Sequence, residues 1–480
     1  MSTDPAAELD DVREALRERM GVHRADLETL VRIPSVSAAG FDPAEVRRAA
    51  EAVRELLAAR GLERARLLEV DGAHPAVYAD WLHAGPGQPT VLLYAHHDVQ
   101  PPGDMSQWTS PPFEPTERDG RLYARGAADD KAGVMVHVAA IDAWLGARGG
   151  LPVNVKVVVE GEEETGSEHL PGLLEGYADL LRADVIVLTD SVNWKVGVPA
   201  ITYLLRGLAD CEVEVAALDH ALHSGMYGGP VPDPVTGLCK LVAAATDEHG
   251  AVVIPGLAEV REPSEHERAR LDALDFDIDT FRGEAGLLDG VELGGDPKLH
   301  PLERLWMRPN LTVIGFDAPP VAGSSNTIVP SARARLSLRL APGQDAERAR
   351  EVLCAWLEDH APWGLHVTVT PGAAGGPFLA DPDGPAFRAA ARALEAAYGH
   401  PAVYAGVGGT IPFVEPFAAA FGGAPALLLG VEDPDTRAHG IDESLHLDDW
   451  ANACLGEAYL FAELAAALAR GSGTVPLDRS

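Results

Sequence analysis

The chain has 480 residues, 46% of them hydrophobic, and a formal charge of −35. That length and apolar content suit two separate cores rather than one. So acidic a chain argues against nucleic acid as a partner, and no apolar run is long enough to span a bilayer, so no membrane partner is expected.

The N-terminal stretch "MSTDPAAELDDVREALRERM" has no apolar signal core, and Asp4 before Pro5 reads as a helix start. Cys211, Cys239, Cys354 and Cys454 are scattered without a CxxC pair and read as reduced core thiols, so a cytoplasmic protein is expected. Short β-branched or leucine-rich runs then alternate with long alanine-rich amphipathic stretches. That is the pattern of βαβ units, and the predicted fold class is α/β with a mostly parallel sheet and flanking helices.

Four apolar runs end in polar residues. "TVLLYA" leads into His96, "VNVKVVV" into the acids at 160–164, "DVIVLT" into Asp190, and "PALLLG" precedes the loop of His439. Open α/β sheets place ligands beyond the carboxyl ends of their strands, so these endings are expected to converge. From about 203 to 376 alternation replaces the continuous runs, as in a sheet with one solvated face. There "ARARLSLRLAP" puts Arg333, Arg335, Ser337 and Arg339 on one strand face, and 258–300 is a charged, partly helical insertion. The last hundred residues return to α/β character. The expected organisation is a discontinuous domain, 1–202 with 377–480, and an inserted α+β domain at 203–376.

At "YAHHDVQP" (94–101), residues two apart on a strand share a face, so His96, Asp98 and Tyr94 lie together and His97 points away. A metal-binding histidine usually donates its other N–H to a carboxylate, and HxD supplies such a pair. An isolated HxD is more often a structural histidine beside a surface acid. Adjacent Asp129 and Asp130 usually mean a solvated or helix-starting turn, and Glu162, Glu163 and Glu164 usually mean a surface charge run. Their place at the end of a buried strand argues otherwise for the glutamates.

Taken in order, "YAHHDVQP", "DGRLYARGAADDKAG", "EGEEETGS", "LTDS", "LHSGMYGG", "LSLRLAP", "GGTIP" and "AHGIDESL" resemble the M20 family of dinuclear zinc peptidases and deacylases, most closely its dipeptidase branch. The resemblance covers nearly the whole chain. It implies a zinc-peptidase-like catalytic domain carrying an inserted lid and dimerisation domain. It also implies two Zn²⁺ per subunit, with Mn²⁺ or Co²⁺ able to occupy the same site. His96 and Asp190 would bind one ion, Glu164 and His439 the other, and Asp129 both, with a cis peptide between Asp129 and Asp130. Asp98 would orient His96.

The resemblance further implies that Glu163 is the general base for a metal-bridging water that attacks the amide carbonyl of a dipeptide or short peptide. His223 would reach a partner subunit's active site and stabilise the oxyanion, so a homodimer through the inserted domain is expected. Arg339 would bind the substrate's terminal carboxylate, with Gly408, Gly409 and Thr410 donating nearby. The chain departs from the branch where Gly406 and Val407 replace a usual Arg-Glu, which puts recognition of a free amino group in doubt. Alanines at 124, 132 and 221 are lesser departures, and none removes a ligand. An N-acyl-amino-acid deacylase is the catalytic alternative, and a noncatalytic binding scaffold the remaining one.

Overall fold

The computed structural model of the chain describes residues 9–409 and 414–469. The helix start expected at Asp4 and the site residue Thr410 lie outside them. The chain divides into two units, one comprising Met1–Tyr203, Ala380–Ala405 and Pro412–Ser480, the other Leu204–Leu379 and Gly406–Ile411. The sequence reading keeps 377–480 in one piece, whereas 406–411 belong to the second unit. Contacts to Arg206 and Trp306 within that unit account for this. Arg206 donates its backbone N–H to the Val407 carbonyl at 3.3 Å and its Nε–H to the Gly408 carbonyl at 3.2 Å. Gly406 lies against the Trp306 indole, so closely that a Cβ there would meet ring atoms at 2.7 Å.

In chain order, the principal strands of the two main sheets are β1 (Glu63–Leu68), β2 (Ala76–Trp81), β3 (Thr90–His96), β4 (Asn154–Glu160), β5 (Val185–Val192), β6 (Ala200–Leu205), β7 (Gly207–Ala216), β8 (Asn310–Asp317), β9 (Ser331–Leu340), β10 (His366–Gly375) and β11 (Ala426–Glu432); Phe378–Leu379 and Val403–Val407 add short strands beside β6. The first unit's sheet runs β1-β2-β4-β3-β5-β11-β6. Its centre, β4, β3, β5 and β11, is parallel, while β2 and β6 join antiparallel. These central strands are buried on both faces, which is why they read as continuous apolar runs.

Helix Lys131–Arg148 packs on β3 and is covered by helices Asp10–Val31 and Leu447–Leu468. Enclosed on all sides, it is buried from Lys131 to Trp144 and shows no single apolar stripe. It stops at Gly149, whose φ of 68° is the left-handed cap that glycine adopts without a Cβ clash. Because β4 and β5 flank β3 on opposite sides, the chain changes winding direction there. The crevice outside the carboxyl ends of β3 and β5 is therefore a switch point, where open α/β sheets bind ligands.

The second unit has an antiparallel sheet in the order β8-β9-β7-β10. Its alternation is visible in burial. Cys211, Val213 and Val215 of β7 and Leu336 and Leu338 of β9 point into a core with Leu238, Leu241, Leu353 and Leu357 from helices Pro234–Ala243 and Ala346–Asp359. Each fully buried aliphatic side chain of this kind stabilises the fold by roughly 1.5–3 kcal/mol. On the other face Arg333 bonds to Glu212 and Asp317, and Arg335 to Asp210. The 258–300 insertion carries short helices Glu265–Ala273 and Ile278–Glu284.

The four cysteines are all free, but only Cys211 and Cys454 are core thiols; Cys354 is half-buried and Cys239 exposed. Both lie on amphipathic helices, where one residue's apolarity does not decide which way it faces. No described helix is long and apolar enough to cross a membrane.

Candidate metal centre

His96 closes β3, and its ring is held from behind. Nδ1 lies 3.1 Å from the Asp98 carbonyl and 3.4 Å from Asp98 Oδ1, so this nitrogen carries the proton and Nε2 presents a lone pair forward. Asp98 is itself fixed, accepting from Ser37 Oγ at 2.7 Å and from the Glu164 backbone N–H at 3.1 Å. His97 turns the other way, as the strand period requires, with Nε2 at 2.9 Å from the Pro75 carbonyl. Burial pushes the His97 imidazole down to about 4, which keeps it neutral.

Asp129 lies in the loop before helix Lys131–Arg148, and the Asp129–Asp130 peptide is cis. Its Oδ1 is 3.1 Å from His96 Nε2 and its Oδ2 3.0 Å from His439 Nε2. Around the first histidine stand Asp190 at 3.9 Å and Glu163 at 4.0 Å; beside the second stands Glu164 at 3.2 Å. Two groups, His96–Asp129–Asp190 and Asp129–Glu164–His439, thus have ligand atoms close enough to hold one cation each, sharing Asp129. Glu163 belongs to neither and borders the first.

The electrostatics ask for cations. Although burial opposes its charge, Asp129 is held well below the usual carboxylate range by its bonds to His439 and His96. Asp190 is pushed up to about 7 by burial, with the carboxylates of Asp129 and Glu164 adding to it. Burial, with Asp190, Asp129 and Glu164 nearby, likewise holds Glu163 well above its ordinary value. His439 is raised to about 11 by bonds to Asp129 and Glu164. The buried His96 Nε2 faces three carboxylates, with Asp129 the nearest at 3.1 Å. A lone pair and several oxygens converging on one point form the donor set of a divalent cation, so the residues fit a metal pair.

Supporting residues that the sequence reading does not assign complete the frame. Gln100 donates its backbone N–H and its Nε2–H to the two oxygens of Glu164. Glu443, four residues after His439, accepts the backbone N–H groups of Gly126, Ala128 and Asp129 and pairs with the buried Arg125 at 2.5 Å. Its presence in "AHGIDESL" was the available signal, although nothing in that string says what it binds.

The remaining expected site residues lie in the second unit. His223 is exposed, its Nδ1 accepting the Gly225 N–H at 3.1 Å. Arg339 is half-buried on β9, paired in register with Asn310 and Leu208. Gly408 is held by Arg206, and Gly409 follows it in a bend.

Known proteins are similar to this chain in sequence and fold. The cysteinylglycine-S-conjugate dipeptidase of Corynebacterium striatum is 38% identical over 373 residues, covering 77% of this chain and 80% of the relative. The β-Ala-His dipeptidase of Homo sapiens is 31% identical over 352 residues, covering 72% of this chain and 68% of its own. The crystal structure of human carnosine dipeptidase 1 superposes with a TM-score of 0.80 at 28% identity, over 95% of this chain and 99% of that one. The sequence pattern of peptidase family M20/M25/M40 matches residues 92–461, a span that takes in every residue of both ligand groups, and the chain belongs to that family.

Proposed function

We propose that the chain is a metal-dependent dipeptidase that hydrolyses the amide bond of dipeptides or short peptides. The observation that carries this is Asp129, whose two oxygens are divided between His96 and His439 while Glu163 stands beside the pair without belonging to it. His96, Asp190 and Asp129 would hold one ion and Glu164, His439 and Asp129 the other, with zinc favoured by the donor types and manganese or cobalt as alternatives. Bound there, two such ions acidify water and polarise the scissile carbonyl.

Glu163 is the general base in this reading. It takes a proton from the attacking water and returns it to the leaving amine nitrogen, a role suited to a carboxylate whose burial favours its protonated form. Asp98 keeps the His96 ring oriented. Arg339 is assigned to the substrate's terminal carboxylate, with Gly408, Gly409 and Thr410 as further donors.

His223 is assigned to the oxyanion of a second copy of the chain, in a homodimer joined through the second unit. Support comes from exposed Met226 and Tyr227 next to it, and from edge strand β8, which exposes Val313, Ile314 and Phe316. Cytoplasmic residence is part of the same reading, in keeping with four free thiols.

The test is a hydrolysis screen of the zinc-loaded chain on free dipeptides and N-acylated amino acids, with and without a chelator. Dipeptide turnover that chelation abolishes is the expected result. Turnover of acylated substrates alone would replace this reading with an N-acyl-amino-acid deacylase, which Val407 favours by offering no acid to a free amino group. Chelator-insensitive turnover would remove the metal mechanism.

A further inference from the structure

One buried carboxylate at the centre has no task in this scheme. Glu432 ends β11, and its register partner in the parallel pair with β5 is Val192. The register shifts on either side of Gly430, and the Asn193 N–H bonds to the Glu432 carbonyl at 2.9 Å, so Glu432 stands at the neighbouring strand end beside the segment that carries Asp190. The residue is only 8% exposed, and among the described residues no hydrogen bond or ion pair reaches its carboxylate; its backbone carbonyl accepts from Asn193 instead. It is not one of the two ligand groups. Burial, and then the nearby charges of Asp129, Asp190 and Glu443, push its carboxyl well above the ordinary range.

A carboxyl withdrawn from water and set among other carboxylates stays neutral until a cation comes beside it, and is then a strong partner for that cation. The two ion sites are already supplied with ligands. A dipeptide brings a further cation, its α-ammonium, which lies one carbon from the carbonyl under attack and so close to the ligands that surround Glu432. Position 407 offers only a valine for that task.

We propose that Glu432 is the specificity-determining residue that binds the free α-ammonium of the substrate's N-terminal residue. Binding forms a charge-assisted hydrogen bond in a nearly dry setting, and a substrate without the amino group leaves the carboxylate unpaired. Sites built around such a polar group discriminate strongly against the analogue that lacks it. The inference rests on the dipeptidase reading.

The experiment compares alanyl-glycine with propionyl-glycine, its des-amino isostere, on the zinc-loaded chain and on Glu432→Gln and Glu432→Asp. The native chain should prefer alanyl-glycine by about 10²-fold or more in kcat/KM. Glu432→Gln should erase most of that preference by losing alanyl-glycine turnover, with propionyl-glycine unchanged within about threefold and two metals retained per chain. Glu432→Asp, keeping the charge, should recover part of the loss. A Gln variant that slows both substrates equally, that loses metal, or that leaves the preference intact overturns the assignment and leaves the dipeptidase reading standing. If Glu432→Gln does not fold, an Asp variant with no change in preference does the same. Native chain that hydrolyses neither substrate overturns both.

Discussion

Glu443 Oε1 accepts the backbone N–H of Asp129 at 3.2 Å, across 314 residues of chain. The loop that carries the shared ligand is thereby tied to the segment that carries His439, so the two halves of the centre are set by one carboxylate. Glu443→Ala would strand the Arg125 guanidinium, itself buried against Glu443. The expected loss of stability is about 3–5 kcal/mol, the range for breaking a buried pair from one side, read by urea unfolding. Metal retention on dialysis should fall with it.

Glu163→Gln separates the base from the ligands. Turnover should drop by about 10²–10⁴-fold while metal analysis still finds two ions per chain. A variant that instead sheds an ion would show that Glu163 and Glu164 have exchanged roles.

Asp98→Ala removes the carboxylate behind the His96 ring and leaves the backbone carbonyl of residue 98 as the partner of Nδ1, so the ring is held less firmly. Metal affinity should weaken by about 10–100-fold, measured by competition with a chromogenic chelator. Ser37→Ala, which removes a donor to Asp98, should have a smaller effect in the same direction.

Much of this centre was legible because buried parallel strands show themselves as apolar runs with abrupt polar ends. His96 and Asp190 stand at such ends and the period of two separates His97 from its neighbour, while the ligand roles come from the family resemblance. The frame behind them was not legible. Gln100 and Glu443 act on backbone amides or on another ligand, and such bonds depend on tertiary approach, which no spacing in the sequence encodes. The same holds for 406–411, whose place in the second unit is decided by Arg206 and Trp306, residues far away in the chain. Glu432 carries no signal of its own in the sequence, since one acid at the end of an apolar run looks like an ordinary strand exit.

In the second unit, Glu267 offers a pH-dependent test. Arg261 bonds to it at 2.8 Å and, with Ser264 at the helix N-cap, pulls its carboxyl down to about 2. A folded value below the unfolded one means the stabilisation is complete above about pH 4.5 and is lost as pH falls toward 2. Allowing for solvent around the half-exposed Arg261, Glu267→Gln should destabilise by about 1–2 kcal/mol at neutral pH. The difference between native and variant unfolding midpoints should shrink steadily on acidification; a constant gap would contradict the ion pair.

The packing of Gly406 on Trp306 also limits which relatives this chain could turn into. Any side chain at 406 would put its first carbon 2.7 Å from the rigid indole, so an Arg-Glu pair cannot be restored by changing 406 and 407 alone. Position 306 would have to shrink in the same step, and a smaller residue there without the new arginine would leave a void. Position 406 is thus coupled to position 306, distant in the chain, and a larger residue at the first calls for a smaller one at the second in the same step.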